Sequence, residues 1–330
     1  RRDFREHIYR ANDEIINATR DTEISLVFGT VTAHSGGQGR PIYNTAIVAE
    51  AGVLRDQIHK TLLPTYDIFD DLRYFEPNCE FRLSEIKGVQ FGITICEDIW
   101  FNDNEIQYHN YTINPMEELC ERGAEVIVNL SASPYSKNKT QSRSYMLRAH
   151  ARQFSTPVLY VNQVGANTEI IFDGDSLACD SKGNLVARSE IFEETNLDLS
   201  ISTDTVEALS PNSISKQKSR VEQMFYALVC GLKDYLRKTR LTDQVTLGLS
   251  GGIDSALVAV IAAEALGPEK VHALTMPSEF SSEGSITDSM KLADNLGIHL
   301  HEVPIKNIYD DFGNALSDLF SGTEFGVAEE

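Results

Sequence analysis

Residues 247–256, Leu-Gly-Leu-Ser-Gly-Gly-Ile-Asp-Ser-Ala, decide the fold of the second half of this chain. They join a short, β-branched apolar run, predicted as a strand over 245–249, to a helical pattern over 253–266. Two adjacent glycines let the backbone turn sharply and present N–H groups to an anion, and the helix adds the positive end of its dipole. The segment therefore predicts a phosphate-binding loop between a strand and a helix.

The side chains of this loop are suited to a polyphosphate and its counterion. Ser250 and Ser255 can donate hydroxyl hydrogen bonds, whereas the carboxylate of Asp254 is expected to hold Mg²⁺. The plainer alternative is an ordinary strand-to-helix turn with a capping residue. The pattern matches neither GxxxxGK[ST] nor GxGxxG; it resembles the SGGxDS loop of ATP pyrophosphatases, ligases that cleave ATP to AMP and pyrophosphate. The resemblance implies ATP contacts at Ser250, Gly251, Gly252, Asp254 and Ser255.

The surroundings of the loop predict a parallel sheet. Strands are expected over 245–249, 271–276 and 298–303, and helices over 221–239, 253–266, 283–296 and 308–319. This alternation is typical of a doubly wound, Rossmann-like α/β domain, which we place at 220–330. After its second strand come Met276-Pro277-Ser278 and then Ser281-Ser282. That continuation resembles NAD⁺ synthetases, and the resemblance implies that Met276 and Ser282 lie near the adenosine of ATP.

The first half of the chain predicts a different α/β domain, over 1–200. A helix is expected over 3–19, apolar strands over 26–31, 45–49, 89–96, 125–130 and 158–164, and helices over 115–122 and 141–154. Because several strands follow one another without a helix, the pattern indicates a layered α/β arrangement. The polar, Ser/Thr-rich stretch 201–219 interrupts the periodicity, and we predict a linker there.

A candidate nucleophile stands at the end of one of these strands, in Phe91-Gly-Ile-Thr-Ile-Cys96-Glu97-Asp98-Ile99-Trp100. A cysteine delivered by a strand into a polar turn is held rigidly toward a cleft. The alternative is a small core residue, since cysteine is among the most buried residue types. A thiolate also needs a neighbouring cation, and the upstream segment 59–75 supplies Lys60 just before Leu62-Leu63-Pro64-Thr65-Tyr66.

Together these two segments resemble the nitrilase superfamily, and specifically the glutaminase domain of glutamine-dependent NAD⁺ synthetases. The resemblance implies an α-β-β-α sandwich and a working triad of Glu, Lys and Cys, of which Lys60 and Cys96 are two members. It further implies glutamine contacts at Tyr66, Phe69, Glu97, Ser131 and Ser133.

The sequence departs from the family pattern in two respects. No glutamate between residues 1 and 59 has the context of the third triad member, so we expect that residue before Arg1. Asp71 stands where the family commonly has Glu, and the shorter side chain is expected to loosen a hydrogen bond to Lys60. The second half is likewise expected to stop short of the other Mg²⁺ carboxylate, so that residues 1–330 contain neither a complete glutaminase triad nor a complete synthetase site.

Composition narrows the choice of partners. With 29 Lys and Arg against 49 Asp and Glu, the net charge is −20, which disfavours nucleic acid and anionic membranes. The five cysteines are scattered without zinc spacing, which argues against a disulfide scaffold and for a reducing, cytoplasmic compartment. No segment reaches the roughly 18 apolar residues of a membrane span.

The function implied by the resemblance is an amide-forming ligase. Glutamine would be hydrolysed in the first domain and ammonia passed within the protein to the second, where ATP activates deamido-NAD⁺ to give NAD⁺, AMP and pyrophosphate with Mg²⁺ as cofactor. The family also implies a homo-oligomer. Two alternatives stay open: another glutamine-fed ATP pyrophosphatase, such as a GMP synthetase with a Cys–His glutaminase, and a non-catalytic module that retains both folds.

Overall fold

The computed structural model describes residues 2–36, 38–101, 111–202, 205–278, 281–319 and 321. The chain divides into two compact units, one formed by Arg1–Gly165 with Ile170–Arg220, the other by Ala166–Glu169 with Val221–Glu330. None of the helices in the described ranges is long and apolar enough to cross a membrane.

In its described residues, the first unit contains a three-stranded sheet, a six-stranded sheet and four α-helices. Its elements in chain order are α1 (Arg2–Ala18), β1 (Ser25–Ala33), β2 (Ile42–Glu50), β3 (Val53–His59), α2 (Asp71–Tyr74), β4 (Ser84–Ile86), β5 (Val89–Ile95), a 3₁₀ turn (Cys96–Ile99), α3 (Pro115–Glu121), β6 (Val126–Ser131), α4 (Lys139–Phe154), β7 (Val158–Asn162), β8 (Val164–Asn167), β9 (Ile170–Asp173), β10 (Leu177–Cys179), β11 (Leu185–Arg188), β12 (Leu199–Ile201) and β13 (Val206–Ala208).

These elements form four layers. The antiparallel sheet β1-β2-β3 faces the six-stranded sheet β11-β10-β7-β6-β5-β4, and Val48 and Ile58 from the first pack with Ile93 and Ile95 from the second. Helix α1 packs on β1 and β3, while α3 and α4 cover the other face of the larger sheet through residues such as Leu147. The predicted α-β-β-α sandwich is confirmed.

The topology places candidate functional side chains at one edge of the larger sheet. Strands β5, β6 and β7 run parallel, so their carboxyl ends lie together, and in α/β sheets that edge is where ligands bind. The residues at or directly after the three ends are Cys96, Ser131 and Asn162.

The second unit is built around a parallel sheet of order β14-β15-β16. In its buried core, small residues of the helices pack against the sheet. Leu249, Ala259, Ala273 and Ala293 are all at most 2% exposed. The strand order is sequential within the described strands. The elements are α5 (Arg220–Thr239), β14 (Val245–Gly248), α6 (Ile253–Leu266), a 3₁₀ turn (Pro268–Lys270), β15 (Val271–Thr275), α7 (Glu283–Leu296), β16 (His299–Glu302) and α8 (Lys306–Leu316).

The stretch predicted as a linker, 201–219, is partly structured. Strand β13 pairs with β12, and the Arg188 N–H donates to the Ser213 carbonyl at 2.7 Å while the Ser215 N–H donates to the Arg188 carbonyl at 3.0 Å. This pairing could not be predicted from the polar composition, because strands of two or three residues give no clear periodicity. The domain boundary itself stays a prediction.

Candidate active site

The thiol of Cys96 lies at the end of a buried strand, where the backbone is strained. Residues Gly92–Ile95 of β5 are buried, and Cys96 then takes a φ of 46° as it opens the 3₁₀ turn. A non-glycine residue in this region costs free energy and is typical of functional sites. The Asn129 amide donates to the Cys96 carbonyl at 3.4 Å, which helps to fix the turn.

Lys60 approaches Cys96 from the three-stranded sheet β1-β2-β3. It directly follows β3, its N–H donates to the Asn44 carbonyl at 2.9 Å, and only 4% of it is exposed. Burial alone would lower the pKa of Lys60, but the neighbouring Cys96 and Asp71 outweigh that effect and raise it. The raised pKa favours the ammonium form of Lys60, which is suited to stabilise an anion.

Asp71 holds the ammonium group tightly. Its Oδ2 accepts from Lys60 Nζ at 2.6 Å, so the looser bond expected from the shorter side chain is wrong. The backbone explains the difference, because the Asp71 N–H donates to the Pro64 carbonyl at 2.9 Å and brings the start of α2 close to Lys60.

Lys60 and Cys96 line one cavity of about 580 Å³, together with Asp71. Its remaining walls come from both sheets and from the segment after Lys60, and include Gly29, Thr30, Val31, Asn44, Phe69, Phe75, Ile95, Leu130, Ser131, Ala132, Val161, Asn162 and Gln163. The structure thus brings together the two residues that the sequence placed 36 positions apart.

Glu97, the residue after Cys96, is buried, and two phenols bind its carboxylate. Its carboxylate accepts from Tyr66 Oη at 3.1 Å and from Tyr111 Oη at 3.2 Å. Burial, reinforced by the Glu97 charge, raises the pKa of both tyrosines. The ring of Tyr66 meets that of Phe69 edge to face, with centroids 5.5 Å apart, so the two predicted aromatic positions are in contact.

The two predicted serines differ in their surroundings. Ser131 lines the cavity and its hydroxyl donates to Asn129 Oδ1 at 2.6 Å. Ser133 is 1% exposed, its N–H donates to Asn162 Oδ1 at 2.8 Å, and its hydroxyl accepts from Arg143 at 3.5 Å. Ser133 is therefore better placed to support the loop than to meet a ligand.

Two basic side chains of α4, Lys139 and Arg143, were missed by sequence reasoning. Lys139, at the start of α4, has a pKa lowered by burial, which the nearby Cys96 and Glu97 oppose, and its ammonium group lies 5.4 Å from the Trp100 ring centroid. Nothing in a helical pattern distinguishes this lysine from a surface one. Arg143 could have been found as a charged residue on the apolar face of a predicted helix.

The loop after β14 forms a compact turn closed by hydroxyl groups. The hydroxyls of Ser250 and Ser255 lie 3.1 Å apart, and Ser255 donates to the Gly252 carbonyl at 3.0 Å. Gly251 has a φ of 78°, and a Cβ there would lie 2.5 Å from the Ser285 carbonyl oxygen. Glycine is therefore required both by conformation and by space.

The other residues predicted at the nucleotide adjoin this loop. Met276 Cε would lie 3.6 Å from a Cβ placed on Gly248, so Met276 is next to the strand that carries the loop. Ser282 is the N-cap of α7, where its hydroxyl accepts from the Ser285 N–H at 3.1 Å. The start of α7 and the start of α6 thus converge beside Gly251.

Asp254, proposed as a Mg²⁺ ligand, lies exposed in the first turn of α6. The described ranges hold no group of three or more His, Cys, Asp or Glu side chains arranged for a metal. A single carboxylate in the predicted phosphate-binding loop is compatible with Mg²⁺, because this ion commonly takes one or two carboxylates and completes its shell with phosphate oxygens and water.

With the geometry in place, comparison with known proteins identifies the class. Residues 11–210 match the carbon-nitrogen hydrolase family, and the chain belongs to that family; residues 224–329 match the NAD synthase family. The cavity with Lys60 and Cys96 lies within the first match and the loop with Gly251 within the second.

The relatives share both halves. A glutamine-dependent NAD(+) synthetase of Synechocystis sp. is 42% identical over 93% of this chain and 55% of its own length, and one of Thermotoga maritima is 34% identical over 94% and 57%. The solved structure of the Acinetobacter baumannii glutamine-dependent NAD+ synthetase with ADP aligns with a TM-score of 0.84 at 29% identity, covering 98% of this chain and 58% of that one. The chain spans about half the length of these relatives.

Proposed function

We propose that this chain supplies the glutamine-hydrolysing domain and the ATP-binding half of the ligase domain of a glutamine-dependent NAD⁺ synthetase. The observation that carries the first part is the shared cavity of Lys60 and Cys96, with the ammonium group fixed by Asp71. The match of the second half to the NAD synthase family favours this ligase over other glutamine-fed ATP pyrophosphatases.

The amide chemistry follows from the cavity. The Cys96 thiolate attacks the side-chain carbonyl carbon of glutamine, and the Lys60 ammonium ion stabilises the oxyanion that forms. The carbon–nitrogen bond then breaks as the nitrogen takes up the proton that the thiol has lost, ammonia leaves, and a thioester remains on the sulfur. Water attacks that thioester, one of its protons returns to the sulfur, and glutamate and the free thiol are released. We assign the α-amino and α-carboxylate groups of glutamine to the cluster of Glu97, Tyr66 and Phe69 and to the half-buried cation of Lys139.

The ligase chemistry follows from the loop. ATP adenylates the nicotinate carboxylate of deamido-NAD⁺, so that AMP becomes the leaving group, and ammonia replaces it to give NAD⁺. The backbone N–H groups and hydroxyls of 250–255 receive the pyrophosphate, and Mg²⁺ bound near Asp254 would offset its charge. Met276 would lie by the adenosine, and Ser282 would act by fixing the start of α7. The ADP bound by the Acinetobacter baumannii relative supports a nucleotide site in this family.

A labelling experiment tests the first part. The full-length protein is treated with a diazoketone analogue of glutamine, and the modified residue is identified by mass spectrometry. We expect modification of Cys96 alone, while iodoacetamide also modifies the exposed Cys79, which serves as the matched control. Equal labelling of both thiols by the analogue would contradict a glutamine site.

Pyrophosphate exchange tests the second part. We expect labelled pyrophosphate to enter ATP only when deamido-NAD⁺ and Mg²⁺ are both present. Exchange driven by xanthylate would favour a GMP synthetase instead, and the absence of both labelling and exchange would favour a non-catalytic module.

A further inference from the structure

The carboxylate of Asp98 lies outside the cavity wall but binds the backbone directly beside Lys60 and directly beside Cys96. Asp98 is 2% exposed. Its Oδ1 accepts from the N–H groups of Thr61 and Leu62 at 3.0 and 2.8 Å, and its Oδ2 accepts from the Ile95 N–H at 2.9 Å. Three backbone donors thus converge on one buried side chain.

The position of these donors is informative. Thr61 and Leu62 directly follow Lys60, whereas Ile95 directly precedes Cys96. The strands β3 and β5 that end at these points belong to different sheets, so no ladder hydrogen bond joins them. The Asp98 carboxylate is a direct polar link between the end of β3, which Lys60 follows, and the end of β5, which Cys96 follows.

The energetics favour a specific role for this link. Burying a carboxylate is costly unless it is fully hydrogen-bonded, and an apolar residue would fill the same space without that cost. Cys96 also needs to be held at its strained φ of 46°, which persists only where neighbouring contacts enforce it. The Ile95 N–H bond anchors the residue directly before that strain.

We propose that Asp98 is a positioning residue, which sets the distance between the Lys60 ammonium group and the Cys96 thiol by binding both backbone segments. This inference rests on the proposed glutamine hydrolysis, and deepens it by naming the group that fixes the relative position of the two catalytic side chains. Asp98 does not line the cavity; it acts through the placement of Lys60 relative to Cys96.

The test uses Asp98→Asn in the full-length enzyme. The amide keeps the shape, but one of its two polar atoms is a donor, so either the Ile95 N–H or the pair at Thr61 and Leu62 loses its acceptor. We expect kcat for glutamine hydrolysis to fall about 100-fold, with KM changed by less than about 3-fold, because misplacement by about 1 Å suffices for such a loss.

A matched control separates position from general stability. Glu125 accepts the Gln90 N–H at 2.7 Å at the opposite end of β5, and we expect Glu125→Gln to leave kcat unchanged. Fluorescence of the single tryptophan, Trp100, and stoichiometric labelling of Cys96 by the glutamine analogue check that each variant is folded. Where Asp98→Asn is not recovered folded, Asp98→Glu, which keeps the charge and moves it by one methylene, carries the same expectation.

A double-mutant cycle decides whether Asp98 acts through Lys60. In a Lys60→Met background, Asp98→Asn is expected to lower the residual hydrolysis by less than about 3-fold, since residues acting as a unit are not additive. Additive losses, an unchanged kcat in Asp98→Asn, or an equal loss in Glu125→Gln would overturn the inference alone. A wild type whose Cys96 resists the analogue would overturn the proposed function, and the inference with it.

Discussion

The cavity of the first unit and the loop of the second differ in the groups that would interact with charge: buried side chains in the cavity and backbone N–H groups in the loop. The cavity relies on buried side chains: Lys60 and Glu97 are each 4% exposed and Asp98 is 2% exposed. The loop relies on backbone conformation, with Gly251 at a φ of 78° and the proposed Mg²⁺ ligand Asp254 in solvent contact.

The difference fits what each of the two proposed reactions requires. An oxyanion formed on glutamine is stabilised best by a fixed cation away from water, where electrostatic interactions are stronger. A polyphosphate carries its own charge and cation, so backbone N–H groups suffice. Substitution of a buried side chain should therefore abolish the activity proposed for the cavity. Substitutions that change the backbone conformation should abolish the activity proposed for the loop.

The largest expected effect is the separation of the two activities by Cys96→Ser. Glutamine-dependent NAD⁺ formation should fall by about 10⁴-fold or more, because the hydroxyl is a far weaker nucleophile. Formation of NAD⁺ from added ammonium ions should be unchanged, since the loop does not use the thiol. Steady-state assays with each nitrogen source measure the split, and a parallel loss with ammonium ions would break the comparison.

Gly251→Ala should disable both nitrogen sources together. The added Cβ would meet the Ser285 carbonyl oxygen at 2.5 Å and force an unfavourable φ, so we expect a loss of about 100-fold in kcat/KM for ATP.

Gly252→Ala is the matched control for that substitution. The nearest atom to its Cβ is Ser250 Oγ at 3.4 Å, and no positive φ is required, so a loss below about 10-fold is expected. Equal losses in the two variants would indicate that the phosphate, rather than backbone strain, excludes the methyl group.

The stability of the first unit should depend on pH through Asp98. Burial raises its pKa to about 6 from 3.8, against the opposing effect of its three backbone donors. A raised pKa in the folded state means that the stabilising contribution is present below pH 4 and is lost as pH rises through 6. The free energy of unfolding of the wild type minus that of Asp98→Asn should therefore fall by about 3 kcal/mol over that interval.

Urea titrations followed by Trp100 fluorescence measure this difference. Asn does not titrate, so subtraction removes the other ionisable groups shared by both proteins. A difference that stays constant between pH 4 and pH 6.5 would show that the buried carboxylate keeps an ordinary pKa.

The smallest expected effect concerns Ser282. Its hydroxyl caps α7, so Ser282→Ala should reduce the local stability of that helix by about 1 kcal/mol, measurable by hydrogen exchange of its amides. Because the hydroxyl is used by the cap, KM for ATP should rise less than about 3-fold; a much larger rise would indicate direct contact with the nucleotide.

The long, periodic elements could be predicted from the sequence. Helices α6 and α7 occur at the predicted residues, because their apolar spacing and flanking glycines are local signals. Strands β3 and β4 and the short strands β9 to β13 were missed, since mixed polar faces and lengths of three to seven residues give no clear period. The predicted strand over 158–164 is divided into β7 and β8, a break that an unbroken apolar run conceals.

By itself the sequence determined the two motifs, the strand-turn-helix loop around Gly251 and the strand-end cysteine, because each depends on residues adjacent along the chain. Only the tertiary structure decided how the distant groups serve them: that Asp71 binds Lys60 closely, that Tyr111 joins Tyr66 on Glu97, and that Asp98 links the ends of β3 and β5. These contacts arise where two sheets pack, and packing of separate sheets has no signature in local periodicity.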